Sequence, residues 1–296
     1  KTFRLVGIAV RFTAFASVLF LANAIGVLAQ TGFVDPNIGG PVNDIALQPD
    51  GKIVVGGSFA TAGGQARSRV ARLNSDGTLD GSFQDPQVVG TDASNNHVFS
   101  IALQPDGKII IGGLFVSVGG QGQSYIARLN SNGTLDTGFA PTVSSTVTAV
   151  ALQSDGKVLV AGYFTTVNGQ ARSRMARFNS DGTLDTSFVD PLITAIAGYP
   201  VGTIYPQSDG KILIGGYFNS VGGQGRQFAT RLNSDGTPDA GFGLTASGPV
   251  EQFGVQPDGK ILICGLISSV NGQSRRGIAR ITSSGALDSS FIDTAI

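Results

Sequence analysis

The chain has 296 residues, 41% of them hydrophobic and only 14% charged, with 43 glycines; this excludes a disordered or coiled-coil protein and indicates a globular, strand-rich one. Twenty basic residues balance 20 acidic ones, so no overall field attracts nucleic acid or an anionic membrane. The single cysteine, Cys264, rules out an intrachain disulfide, and it aligns with Gly56, Gly112, Ala161 and Gly215, which makes it a small buried residue rather than a reactive thiol.

Residues 1–29 differ from the rest. Lys1, Arg4 and Arg11 lead into an apolar run from Phe12 to Ala29, and Val27 and Ala29 stand where a signal peptidase needs small residues. This segment is expected to be a bacterial secretory signal cut after Ala29. An uncleaved membrane anchor is the alternative, since the run is about long enough to span a bilayer. Either way the remainder would be secreted, periplasmic or on the cell surface.

From residue 30 onward the chain repeats itself. The stretch "LQPDGKIVVGGSF", beginning at Leu47, returns in altered form from Leu103, Leu152, Pro206 and Val255, with its aspartates at Asp50, Asp106, Asp155, Asp209 and Asp258. A period near fifty marks a repeat architecture, with units at about 37–85, 86–141, 142–190, 191–244 and 245–293. In the first unit "VNDIALQ" and "KIVVGGSF" read as strands joined by the tight turn "PDG"; "SRVARLN" and the short "TLDGSF" follow, joined by "SDG". Each unit is therefore expected to be a four-stranded antiparallel meander. Sheets apolar on both faces must bury those faces against neighbours, so the predicted fold is an all-β propeller of about five four-stranded blades, with an open solenoid as the alternative. The first strand is the candidate for the innermost, because Ala46, Ala102, Ala151 and Gly254 stay small, although Tyr205 breaks the pattern. "TGFVDP" at 31–36 repeats "TSFVDP" at 186–191 and precedes the first full unit, while "LDSSFID" ends the last. Either terminal strand would serve to close a ring.

The elements "LQPDGKI", "GG.F" and "ARLNSDGTLD.SF" resemble the delta-60 repeat, a bacterial family of tandem units of this length, from Thr31 to Phe291. The resemblance implies a propeller in a secreted or surface-exposed protein, with no catalysis and no cofactor.

Scaffolding recurs, whereas catalytic groups stand outside a repeat. Seventeen of the 19 aspartates fall at repeated positions, leaving Asp44 and Asp92; the one glutamate is Glu251 and the one histidine His97. Asp44 and Glu251 occupy neighbouring places in the first strands of units one and five, but no base, nucleophile or orienting group accompanies them. His97 falls in a long connection and is read as an exposed loop residue. Asn74, Asp76 and Asp80 resemble part of a calcium loop without its full ligand set, and turn bonding accounts for them, so no metal is assigned. Arg72, Arg128, Arg177, Arg231 and Arg280 each precede a fourth-strand aspartate by eight residues, which predicts an Arg–Asp pair in every unit. Gly57, Gly113, Gly162, Gly216 and Gly265 recur in all units and predict close backbone approach.

The remaining polar residues lie in the loops between the second and third strands, "GGQARS", "GGQGQS", "NGQARS", "GGQGRQ" and "NGQSRR". Gln65, Arg67, Gln121, Gln123, Gln170, Arg172, Gln224, Arg226, Gln273 and Arg275 are the candidate binding face, the arginines expected to be exposed and free for a ligand. The partner would be a surface or extracellular protein and the role a noncatalytic scaffold. A lectin-like module binding a glycan is the alternative, although the chain has no tryptophan to stack on sugar rings. The lysines of the "DGK" turns, Lys52, Lys108, Lys157, Lys211 and Lys260, offer the second candidate surface.

Overall fold

The structure, a computed structural model, describes residues 32–92, 95–196 and 200–292. The expected leader at 1–29 lies outside them. All described elements are strands, and no helix occurs among the described residues. The chain forms two compact units, divided between Ala140 and Pro141. The first holds two three-stranded sheets: Val42–Leu47, Ile53–Gly57 and Val70–Leu73, then His97–Leu103, Ile109–Leu114 and Ile126–Leu129. The second holds three: Val147–Leu152, Val158–Gly162 and Met175–Phe178; Thr203–Pro206, Ile212–Gly215 and Ala229–Leu232; Val250–Val255, Ile261–Gly265 and Ile278–Ile281. Every three-stranded sheet is an antiparallel meander with its second strand in the middle.

The middle strands are apolar on both faces because both are covered. In the first unit Val54 and Val70 of one sheet pack with Val98, Ile101, Ile109 and Ile111 of the next. In the second, Leu159 and Met175 meet Ile212 and Ile214, while Leu213 and Ala229 meet Phe253, Ile261 and Ile263. Each core thus lies between sheets, and a lone repeat would leave two apolar faces in water. Within each unit the first strands of successive repeats pack against one another. Four of these strands carry a bulge near their start, at Asn43, Phe99, Thr148 or Glu251. A bulge re-aims a side chain. Asn43 Nδ2 accordingly donates to Val98 O at 2.9 Å, and Thr148 Oγ1 to Val201 O at 2.6 Å, each reaching the next repeat.

The predicted fourth strand is reduced to one bridge per repeat, Leu73–Leu79, Leu129–Leu135, Phe178–Leu184, Leu232–Pro238 and Ile281–Leu287. The repeats form three-stranded sheets with a single pairing beyond, not the four-stranded ones expected. The physical reason lies in the next residue. Asp80 N still donates to Arg72 O, but the Asp80 carbonyl accepts Phe83 N and its Oδ1 accepts Ser82 N at 2.9 Å and Ser82 Oγ at 2.7 Å, so the chain turns before a strand can form. The lead-in segment packs on the first repeat: Val34 N donates to Asp76 O and Gly63 N to Pro36 O, the bonds Val189 and Gly222 make in the fourth repeat.

The other carboxylate oxygen gathers the charges. Asp80 Oδ2 accepts Arg72 Nε at 2.7 Å, as the spacing predicts, and also Lys52 Nζ at 2.9 Å. The same node recurs at Asp136, Asp185 and Asp239, and at Asp288 with Lys260 at 3.2 Å. The lysines proposed as a second binding surface are therefore ion-paired. Each guanidinium also lies over the phenylalanine that follows, Arg72 at 4.8 Å from the Phe83 centroid and Arg231 at 4.6 Å from Phe242. In three repeats Nη1 crosses to the next repeat: Arg72 Nη1 to Ser131 O, Arg177 Nη1 to Ser234 O and Arg231 Nη1 to Ser283 O, each at 2.6 Å.

The recurring glycines are needed for space. A Cβ on Gly57, Gly113 or Gly162 would stand 2.1 Å from the carbonyl oxygen of Pro41, His97 or Thr146. Gly113→Val should lower stability by about 1–3 kcal/mol through overpacking, measured by denaturant unfolding; an unchanged midpoint would refute the close approach.

Burial pushes the Asp239 carboxyl up, but Lys211, the Gly241 N–H and Arg231 outweigh it and leave it at about 2. A depressed carboxylate contributes stability that is present above its unfolded value, near 3.9, and is lost as pH falls through the folded value. Thermal stability is expected to hold above about pH 5 and to fall between about pH 4 and 2. In Asp239→Asn that acid-side loss should shrink, and its neutral-pH stability should drop by about 3–5 kcal/mol because Arg231 is left buried without its partner. Equal acid profiles for parent and variant would contradict the node's role.

Candidate loop interface

At the end of each sheet away from the "DGK" turns, the loop between second and third strands folds into a hairpin of its own. Thr61–Ala62 pairs with Gln65–Ala66, Thr166–Val167 with Gln170–Ala171 and Ser269–Val270 with Gln273–Ser274; Val118 with Gln121 and Val221 with Gln224 make single bridges. The two central residues have positive φ every time, as in Gly63 (56°) with Gly64 (73°) and Asn168 (48°) with Gly169 (77°). These are type I′ geometries, which Gly-Gly and Asn-Gly adopt readily and which match the twist of paired strands. The dipeptides were visible in the sequence as loop residues; their use as hairpin turns was the signal missed.

The glutamines and arginines of the candidate face go separate ways. Gln65, Gln121, Gln170, Gln224 and Gln273 are exposed beside the turns. Gln123 is half-buried, its Nε2 donating to Ile126 O at 2.8 Å. The arginines are not free. Arg67 is buried, its Nη1 donating to Ala66 O and its Nη2 to Gln65 Oε1. Arg172 and Arg275 are half-buried and bond Ala171 O and Ser274 O in the same way. Arg226 donates through Nε and Nη2 to Gln224 Oε1 at 3.2 Å and through Nη1 to Thr230 Oγ1. A guanidinium has five donors, and folding back over its own loop satisfies several while covering its stem. Asp85 and Asp190 brace the same loops, each carboxylate accepting the backbone N–H of Ser68 or Ser173.

The residues outside the repeat have structural partners or none. Asp44 accepts Ile45 N at 2.8 Å and Ile101 N at 2.7 Å, so it ties repeat one to repeat two. Glu251 is half-buried, and burial pushes its carboxyl up. His97 opens a strand instead of lying in a loop, and stacks on Phe99 at 5.3 Å. Cys264 is half-buried rather than fully buried; burial and then the Glu251 charge push its thiol up to about 11, the opposite of an activated nucleophile. Asp76 caps its own turn through Thr78, whereas Asp80 belongs to the ion node, so the two do not converge as ligands. Among the described residues no three His, Cys, Asp or Glu side chains gather to hold an ion.

No curated protein matches the chain. Among solved structures, the extracellular domain of BT4673 from Bacteroides thetaiotaomicron overlays with a TM-score of 0.48 at 12% identity over 82% of this chain and 28% of that one. This chain thus spans well under half of that protein. A protein of unknown function from Bacteroides caccae gives 0.42 at 15% identity, over 83% and 79% of the two chains. A gluconolactonase from Xanthomonas campestris gives 0.33 at 15% identity, over 63% and 58%. Likeness at this depth bears on neither ligand nor chemistry. The family described as domain of unknown function DUF5122, a β-propeller, matches residues 48–83, 104–139, 153–188, 207–242 and 256–291, one segment in each repeat and more than half of the chain together. The chain belongs to the DUF5122 β-propeller family.

Proposed function

We propose that this protein is a noncatalytic bacterial scaffold, secreted, periplasmic or exposed on the cell surface, whose five repeats act as five propeller blades presenting a binding face for an extracellular protein. The observation that carries this reading is the hairpin at the loop end of every sheet, with an exposed glutamine beside a turn of fixed geometry in all five repeats. Display of polar tips on rigid strands is the arrangement from which binding surfaces are commonly built. The recurring strand arginines and aspartates, by contrast, are tied into ion nodes and are not themselves poised for acid–base work. The address outside the cytoplasm rests on the composition of residues 1–29.

The candidate contacts are Gln65, Gln121, Gln170, Gln224 and Gln273, with the loop arginines now assigned to bracing them. Changing all five glutamines to alanine should leave the melting temperature nearly unchanged, since exposed substitutions usually move stability by no more than about 0.5 kcal/mol each. The same variant should capture at least tenfold less partner protein when residues 30–296 are used as bait against a native envelope extract. Undiminished capture would place the contact elsewhere. Selective binding on a glycan array, lost in the variant, would instead favour the lectin reading.

A further inference from the structure

At the turn end of the sheets, opposite the hairpins, repeats three and four leave a cleft of about 400 Å³. Gln153, Asp155, Arg177, Ser187, Gln207 and Asp235 line it, and Pro206 is the one apolar side chain among the lining residues. Arg177 is held by the protein, its Nε lying 2.7 Å from Asp185 and its Nη1 donating to Ser234 O; the Thr237 hydrogen bonds and, more weakly, the Arg177 charge hold the Asp235 carboxyl below its usual range. Asp155 and Asp235 are different. Each is exposed and caps its own turn with Oδ1, Asp155 through Lys157 N and Asp235 through Thr237, and neither is ion-paired within 4 Å among the described residues. Deeper in, Gln207 Oε1 is buried without a hydrogen-bond partner, and Gln153 Oε1 receives only a 3.4 Å contact from Arg177.

The cleft therefore combines two carboxylates at the rim with one amide oxygen that lacks a donor, Gln207 Oε1, as its counterparts at Gln48, Gln104 and Gln256 also do. A buried acceptor calls for a partner that brings N–H groups, and exposed carboxylates without an ion pair call for positive charge. An anion meets repulsion at the rim, and an apolar group would strand the amide oxygen. The other junctions within each unit differ in sequence at these places: repeats one and two bring Asp50 with Asn132, and repeats four and five bring Asp209 with Ser284. Only one carboxylate remains at each.

We infer that the cleft between repeats three and four receives a basic side chain of a bound peptide, its ammonium or guanidinium group held between Asp155 and Asp235 and donating to Gln207 Oε1. This site is separate from the glutamine hairpins. It adds a charge-selective contact at the end opposite the neutral amides of the hairpins.

The test is a calorimetric and NMR titration of the protein with Nα-acetyl-lysine methylamide, using Nα-acetyl-norleucine methylamide as the uncharged isostere. Saturable binding of the lysine compound, at least tenfold tighter than the norleucine one and weakening with added salt, is expected. The double variant Asp155→Asn/Asp235→Asn should lose at least tenfold in affinity, and Asp50→Asn, at the same turn position in repeat one, should lose none. Asparagine keeps the Oδ1 cap, and the comparison of the two ligands on the unmodified chain does not depend on any variant folding. Equal binding of both ligands, absence of binding, or full affinity in the double variant would each overturn the assignment. Binding of N-acetylglucosamine in place of the lysine compound would overturn it as well.

Discussion

Asp80, Asp136, Asp185, Asp239 and Asp288 each hold an arginine and a lysine on one carboxylate oxygen while the other oxygen ends the outer edge of the sheet. Removing such charges from water costs several kcal/mol per ion, and the cost is recovered only where geometry is good and remaining donors are satisfied. Here they are. The arginine lies flat on a phenylalanine, its Nε meets the carboxylate, and Nη1 reaches a carbonyl of the following repeat where one follows within the same unit. One buried side chain thus links the second strand's turn, the third strand, the outer edge and the neighbouring repeat.

This arrangement divides the two ends of each sheet by chemistry. The turn end collects nearly all the lysines and most of the aspartates, and most of their charge is neutralised in place. The loop end has few acids of its own, and its arginines are drawn back over the hairpins by local carbonyls. What it presents outward is amide and backbone, held at fixed geometry by paired positive-φ turns. Such a surface suits recognition by hydrogen bonds, whereas the cleft between repeats three and four is the one junction of those compared that brings two turn carboxylates together.

Much of this was legible from the chain because the repeat displays each requirement five times. The "PDG" and "SDG" turns, the strand pairings and the Arg–Asp spacing of eight follow from local rules. Lys52 was harder to place, since its partner Asp80 is 28 residues away and only the folded meander brings them together. The fourth strand was overread because "TLDGSF" looks extended until the bonds of the aspartate side chain to the following serine are known. Arg67 reads as a surface residue from its neighbours in sequence, and its burial depends on a loop that folds onto itself. Arg69, Tyr125, Arg174 and Phe228 all adopt φ between 65° and 72°, a left-handed geometry that only Gly277, their counterpart in repeat five, discloses by its identity.

The bond from one repeat to the next ends on a main-chain oxygen, that of Ser131, Ser234 or Ser283, so it does not read the side chain it meets. A joint of this kind is indifferent to which copy follows. Duplication or loss of a whole repeat by unequal recombination would regenerate the same bond at the new seam, and side chains on loops and clefts could diverge without disturbing it. The uneven spacing of the copies and the single doubly acidic cleft among the junctions compared within the two units are what such a history would leave: interchangeable joints carrying individually edited surfaces.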